Sequence, residues 1–196
     1  NGFAPVHWAS KKGNLEIVKF LVEEARVDVN KTNNNGSSAL HVASLLGHIK
    51  VVRFLVEAGS DISKANDDGD TPLHAASYSG HHEVLRLLVA KGVDINKANN
   101  DGFTSLHVAS KRSLLTIVRV LIDRGADLTI KDKNGKTAFD IATDKGNEEI
   151  AEILKSDPMT PPAKRAKTSH DGGSSTSNAS LPLSVAISKA VFPFLS

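Results

Sequence analysis

Between Asp68 and Leu88 the stretch DGDTPLHAASYSGHHEVLRLL holds His74, His81 and His82, with Glu83 beside the last. Imidazole next to carboxylate is the material of a metal site or of general acid–base chemistry. Either use needs side chains that converge in space. No HExxH, nucleophile elbow or phosphate-binding loop accompanies them. The elements that carry the histidines therefore decide what they do.

Those elements repeat. APVH ends at His7, SALH at His41, TPLH at His74 and TSLH at His107, while TAFD ends at Asp140; the spacings are 34, 33, 33 and 33 residues. A glycine precedes each tetrapeptide (Gly2, Gly36, Gly69, Gly102, Gly135), and a second follows in four units (Gly13, Gly47, Gly80, Gly146). Then comes an apolar block: IVKFLV, VVRFLV, VLRLLV, IVRVLI or IAEIL. In the third unit Thr71 can cap a helix and Pro72 suits its first position. Leu73, Ala75 and Ala76 allow close helix approach, and Gly80 allows the left-handed conformation that ends the helix. Val84, Leu85, Leu87 and Leu88 form the buried side of a second helix. VDIN then runs extended into the turn NNDG. One such unit cannot bury both its faces alone, so it must stack on its neighbours.

These five in-register copies resemble the ankyrin repeat family over residues 1 to about 157. The resemblance implies a mainly all-α solenoid of helix-turn-helix units with β-hairpin fingers. The units are expected at 1–32, 33–65, 66–98, 99–131 and 132–157, with a disordered tail at 158–196. The family uses the histidine of the tetrapeptide to hydrogen-bond between adjacent loops, so His74 is expected to build rather than to catalyse. His81 and His82 start the second helix, where His48 also stands and Asn14 and Asn147 replace it. No cofactor and no metal are expected.

Composition agrees. At 40% hydrophobic and 23% charged the chain suits a soluble globular protein, and 5% aromatics imply an aliphatic core. The absence of cysteine excludes disulfides and cysteine-ligated zinc. No segment has the apolar length of a membrane span. The net charge of +2 lies in the tail, which from Ser156 has four basic and two acidic residues. Direct nucleic-acid binding is therefore not expected.

Several departures from the repeat carry expectations. The 34-residue step adds a residue in EEARVDVN, where Ala25 or Arg26 replaces a glycine; a small loop bulge is expected. Ser113 stands at a glycine position, at a cost of about 1 kcal/mol, so Ser113→Gly should stabilise. Asp140 and the polar helix NEEIAEILKSD read as a C-terminal cap. Trp8, Ile17, Val18, Phe20 and Leu21 give the first unit an internal-type pattern, and the chain opens at Asn1; at least one upstream repeat is expected. PPAKRAKT carries the core of a nuclear localisation signal at Lys164, Arg165 and Lys167, with a proline-directed site at Thr160. The apolar end LPLSVAISKAVFPFLS is broken by Pro182, Lys189 and Pro193 and has no assigned role.

The resemblance places partner binding on a concave face of fingers and first helices. The matching positions here are Phe3, Lys11 and Lys12; Asn34, Asn35, Ser37, Leu45 and Leu46; Asp67, Asp70, Tyr78 and Ser79; Asn100, Phe103, Lys111 and Arg112; and Lys133, Lys136, Asp144 and Lys145. Leu45, Leu46, Tyr78 and Phe103 would form an apolar centre between the basic pairs Lys11-Lys12 and Lys111-Arg112. The expected function is a non-enzymatic, monomeric protein-interaction scaffold in the cytoplasm or nucleus. The alternatives are a nuclear regulator whose tail engages an import receptor, or the ankyrin part of a larger enzyme or channel.

Overall fold

The computed structural model describes residues 2–155. Ten α-helices run through them: α1 Pro5–Lys11, α2 Leu15–Lys19, α3 Ala39–Leu45, α4 Ile49–Glu57, α5 Pro72–Ser79, α6 His82–Ala90, α7 Ser105–Lys111, α8 Leu115–Asp123, α9 Ala138–Asp144 and α10 Glu148–Lys155. They form five antiparallel pairs. The first helix of each pair packs on the first helices of its neighbours, and the second helices form a parallel row. Ala39, Ala43, Ala76, Ala109, Ala138 and Ala142 are buried in the first row, where a larger side chain would hold the helices apart. Leu55, Leu85, Leu88, Ile117 and Leu121 fill the space between the rows.

Four of the five helix pairs open with a hydroxyl residue at the N-cap, and Ala4 stands there in the first. Ser38, Thr71, Thr104 and Thr137 sit in extended backbone at the N-cap of α3, α5, α7 and α9. The fingers between units are tighter than paired strands; among the described residues there is one isolated bridge, Thr32 to Ser38, and no strand. The cause is a side chain that takes the ladder's donors. Asn66 Oδ1 accepts the backbone N–H of Asp68 and Asp70 at 3.1 and 2.8 Å, and Asn33, Asn99 and Asp132 do the same in their own fingers. Neighbouring fingers are tied by Asp67 N–H to Asn35 O (3.1 Å), Asn100 N–H to Asp68 O (3.0 Å) and Lys133 N–H to Asp101 O (3.0 Å). At Gly69 (φ +80°) an added Cβ would lie 2.6 Å from the Asn100 nitrogen, so that close approach requires glycine.

The extra residue of the first unit is absorbed inside the helix, not in a loop bulge. A π-helical turn, Phe20–Glu24, continues α2. Ala25 N–H reaches Phe20 O at 3.0 Å and Val27 N–H reaches Leu21 O at 2.9 Å. Widening the last turn keeps Leu21 and Val22 packed against the core, where a bulge would have rotated them away. Arg26 takes the left-handed conformation (φ +55°) that Gly59, Gly92 and Gly125 hold in later units.

The outer faces of the end units differ as the sequence suggested. Trp8, Ile17 and Phe20 are 49%, 48% and 60% exposed. Their counterparts one unit on, Val42 and Val51, are buried, and Phe54 is half-buried. At the other end Glu148, Glu149, Glu152 and Lys155 face solvent.

The turn between the two helices of a unit shows how adjacent units are fitted. His81 Nε2 donates to Leu45 O at 3.1 Å, laying its ring over Gly47, where a Cβ would come within 2.4 Å of the ring. His48 does the same to Lys11 O (3.1 Å) and Gly13. Leu114 replaces the histidine one unit on, and a Cβ on Gly80 would meet it at an ordinary 3.5 Å. In the last junction Asn147 is shorter still. Its Nδ2 donates to Ser113 Oγ at 2.6 Å, although Ser113 has φ +60°. A serine is thus tolerated where the neighbour is no longer a ring, and its bond offsets the strain. The expected gain from Ser113→Gly shrinks to near zero, since relief of about 1 kcal/mol is set against a lost hydrogen bond of similar size. By contrast, Gly47→Ala and Gly80→Ala carry the same backbone strain, but only the first also drives a methyl into His81. Urea denaturation should find Gly47→Ala about 1–3 kcal/mol more destabilising than Gly80→Ala. Equal losses would mean that the ring over Gly47 moves aside freely.

Candidate protein-binding face

The tetrapeptide histidines hold the fingers. In each ring Nδ1 accepts a backbone N–H three residues back: Ala4 (3.1 Å), Ser38 (3.1 Å), Thr71 (3.2 Å) or Thr104 (3.2 Å). An accepting Nδ1 places the proton on Nε2. That Nε2 donates to the finger of the next unit: His7 to Ser37 O (3.1 Å), His41 to Asp70 O (3.0 Å), His74 to Phe103 O (2.9 Å) and His107 to Lys136 O (3.2 Å). Both nitrogens are therefore engaged with protein, and the one basic lone pair, on Nδ1, is not free for chemistry. In the fifth unit Asp140 Oδ2 accepts Thr137 N–H and Oγ1–H, both at 2.8 Å, which reproduces the local half of the pattern. Among the described residues no group of three or more His, Asp or Glu could hold a metal ion.

Burial holds these rings neutral. It pushes His41 and His74 down to about 4, against the opposing backbone bonds, and lowers His7 and His107 as well.

Gly135-Lys136-Thr137 is a tripeptide that phosphate-binding loops also contain, and the sequence reading overlooked it. Ile130 stands where such a loop needs its first glycine. The tripeptide is the last finger: Thr137 caps α9, and Lys136 pairs with Asp144.

The fingers and the C-terminal ends of the first helices together present the positions named from the sequence. Lys12, Asn34, Asp67, Ser79, Asn100, Lys111, Arg112, Lys133, Lys136, Asp144 and Lys145 are exposed, and Phe3, Lys11, Asn35, Leu45, Leu46, Tyr78 and Phe103 are half-buried. Two positions belong elsewhere. Ser37 and Asp70 are buried, 4% and 2% exposed, because their carbonyls receive His7 and His41 and draw the residues under the finger. Asp70 Oδ1 also accepts Asn99 Nδ2 at 2.8 Å, while its Oδ2 has no hydrogen-bond partner. Burial and the nearby Asp68 and Asp101 raise its carboxyl to about 6, despite the Asn99 bond. Lys164, Arg165 and Lys167 lie outside the described residues.

Aromatic rings and cations are paired along this face. Lys11 Nζ lies 5.4 Å from the Trp8 ring centroid and 6.0 Å from that of Phe3. Lys111 Nζ is 4.7 Å from Phe103, and the Arg112 guanidinium is 4.3 Å from Tyr78. Phe103, Lys111, Lys136, Asp144 and Lys145 also line one pocket of about 400 Å³, together with Asp132, Asn134 and Ile141. The last three were missed. Asn134 was findable, since it holds the finger position of Asn35, as do Asp68 and Asp101.

The family model described as ankyrin repeats, in three copies, matches residues 1–66 and 59–132. A comparison with curated proteins finds no match.

The neutral rings set the acid limb of stability. Above pH 6.5 His41 and His74 are uncharged both folded and unfolded, so their contribution is fully present. As pH falls from 6.5 towards 4 the unfolded chain takes up protons that the folded rings refuse, and stability is lost. Each ring adds up to about 1.4 kcal/mol per pH unit. Asp70 opposes one of them, because its folded carboxyl is protonated first as pH falls through about 6. Denaturation curves at several pH values should show the loss, and His74→Ala should reduce the slope while costing about 1–3 kcal/mol at pH 7.5 through the orphaned Thr71 N–H and Phe103 O. A flat profile between pH 6.5 and 4.5 would contradict buried neutral rings.

Proposed function

The chain is a member of the ankyrin repeat family and so carries a protein–protein interaction module; we propose that it works as a non-enzymatic scaffold that binds its partner along the fingers and first-helix ends. The family is typically non-catalytic. The observation that carries the reading is the arrangement of Leu45, Leu46 and Tyr78, half-buried side chains on adjacent units, between the cationic pairs Lys11-Lys12 and Lys111-Arg112. Half-buried apolar groups with a charged border suit the centre of an interface, where a partner completes their burial. The helix ends that carry Lys11 and Leu45 are fixed by His48 and His81, so that part of the surface is already ordered before binding and little ordering entropy remains there to oppose association. Phe103 extends the apolar strip to the fourth unit.

The expected position in the cell follows from the tail. Lys164, Arg165 and Lys167, flanked by Pro161 and Pro162, fit an import receptor that seats basic side chains of an extended peptide. In that second reading the scaffold recruits its partner in the nucleus. Without the signal it acts in the cytoplasm.

Two outcomes test these readings. Leu46→Ala with Tyr78→Ala should weaken partner binding by about 2 kcal/mol or more, measured by calorimetry on a partner captured by the array, while the melting curve stays close to wild type. Unchanged affinity with a lower melting temperature would assign both side chains to the core. A bulky fluorescent fusion of the full chain should be nuclear, and Lys164→Ala with Arg165→Ala should return it to the cytoplasm. A wild-type fusion that stays cytoplasmic removes the nuclear reading and leaves the scaffold.

A further inference from the structure

The pocket beside the fourth and fifth units has its own charge chemistry. Phe103 and Ile141 give it an apolar lining, and Lys111, Lys136 and Lys145 bring three cations against the carboxylates of Asp132 and Asp144. Both carboxylates are already engaged. Asp132 is buried, and its Oδ1 accepts the backbone N–H of Asn134 at 2.8 Å and of Lys136 at 2.9 Å. Asp144 is paired with Lys136. Lys111 and Lys145 remain, and among the described residues neither is in an ion pair. The Lys111 ammonium is held 4.7 Å from the Phe103 centroid, so a cation stands directly over an apolar surface. The finger one unit earlier is opposite in sign. Asp67 and Asp68 stand on its tip, which is tied to the Phe103 finger by a backbone bond, and among the described residues no cation pairs with them.

Resting on the reading of this face as the partner site, we propose that the pocket receives a carboxylate side chain from an acidic segment of the partner, with an apolar residue of that segment against Phe103 and Ile141. A carboxylate between Lys111 and Lys145 gains charge-assisted hydrogen bonds that the protein's own acids do not supply. The apolar neighbour covers the ring and shields those bonds from water. The same segment displaced towards the third unit would meet the unpaired carboxylates of Asp67 and Asp68. Repulsion there excludes the wrong register, so the charge order of the face fixes where the partner sits. Because the two lysines are exposed, they also speed encounter with an acidic chain, and salt slows it.

The test uses the full chain and two synthetic hexapeptides with blocked ends. One alternates glutamate pairs with leucine, and the other carries lysine in place of every glutamate. Amide shifts are followed by NMR at low salt. The acidic peptide should shift Phe103, Lys111, Ile141 and Lys145, and about 0.3 M salt should weaken it severalfold. Lys111→Glu with Lys145→Glu should weaken it at least about tenfold, and the glutamine pair, which removes the charge without reversing it, by a smaller factor. Circular dichroism confirms the fold of each variant. The proposal is overturned if the acidic peptide leaves these amides unmoved at millimolar concentration, if the lysine peptide binds as well, or if inorganic phosphate alone shifts the same amides equally. The two readings fail separately. A captured partner released by the Leu46 and Tyr78 substitutions, beside an inert acidic peptide, sinks the pocket and keeps the face. An acidic peptide that binds as described, with a partner indifferent to Leu46 and Tyr78, does the reverse.

Discussion

A neutral imidazole bonded to two backbones is the interaction on which the rest depends. His74 takes the Thr71 N–H at its own helix start and gives its proton to Phe103 O on the next finger. The bond joins what would otherwise be two independent pieces, a helix N-terminus and a loop from a different unit. Repeated at His7, His41 and His107, it sets the pitch of the array and the position of every finger. It also explains why the ring must be buried. Exposed imidazole would exchange both bonds with water for little net gain, whereas a buried one leaves two orphaned backbone groups if removed. The chemistry that histidine offers elsewhere is absent here because both nitrogens are occupied.

The second contact between units is more forgiving, and the chain varies it. His48 and His81 cap the carbonyls of the preceding helix and need glycine beneath the ring. Leu114 gives up the bond but packs into the core, and Asn147 exchanges the carbonyl for the hydroxyl of Ser113. The paired residues, 34 or 35 apart, thus match one another: a bulky ring goes with glycine, a short amide with serine. Such pairs preserve the junction while altering its strength. At this second contact the last two junctions therefore lack the imidazole-to-carbonyl bond of the first two, although His74 and His107 still bond their fingers, and the pocket with the cationic face lies beside them.

The helix pairs were legible because one unit's ambiguities are settled by four others. A lone TPLH says little, but histidine or its substitute at a fixed interval, with glycine and an aliphatic block in step, leaves one arrangement. What escaped the sequence was local. Adding one residue at Ala25 or Arg26 could lengthen a loop or widen a helix; Leu21 and Val22 decide it, because keeping them on the core favours the π-turn. Ser37 and Asp70 looked like surface residues by their register, yet a carbonyl that receives histidine is pulled inward with its side chain. Asp132 and Ile141 gave no signal of a pocket, since each serves the fold first, one in a finger turn and the other in a helix core.

The protonation state of those rings tests the account most directly. Side-chain nitrogen NMR on the full chain at pH 5.5 reports the charge and tautomer of each histidine, and through-bond coupling reports its partner. His41 and His74 should be neutral with the proton on Nε2, coupled to the carbonyls of Asp70 and Phe103. Charged rings at that pH, or a proton on Nδ1, would contradict the account, because the finger of the next unit would then hang on something else.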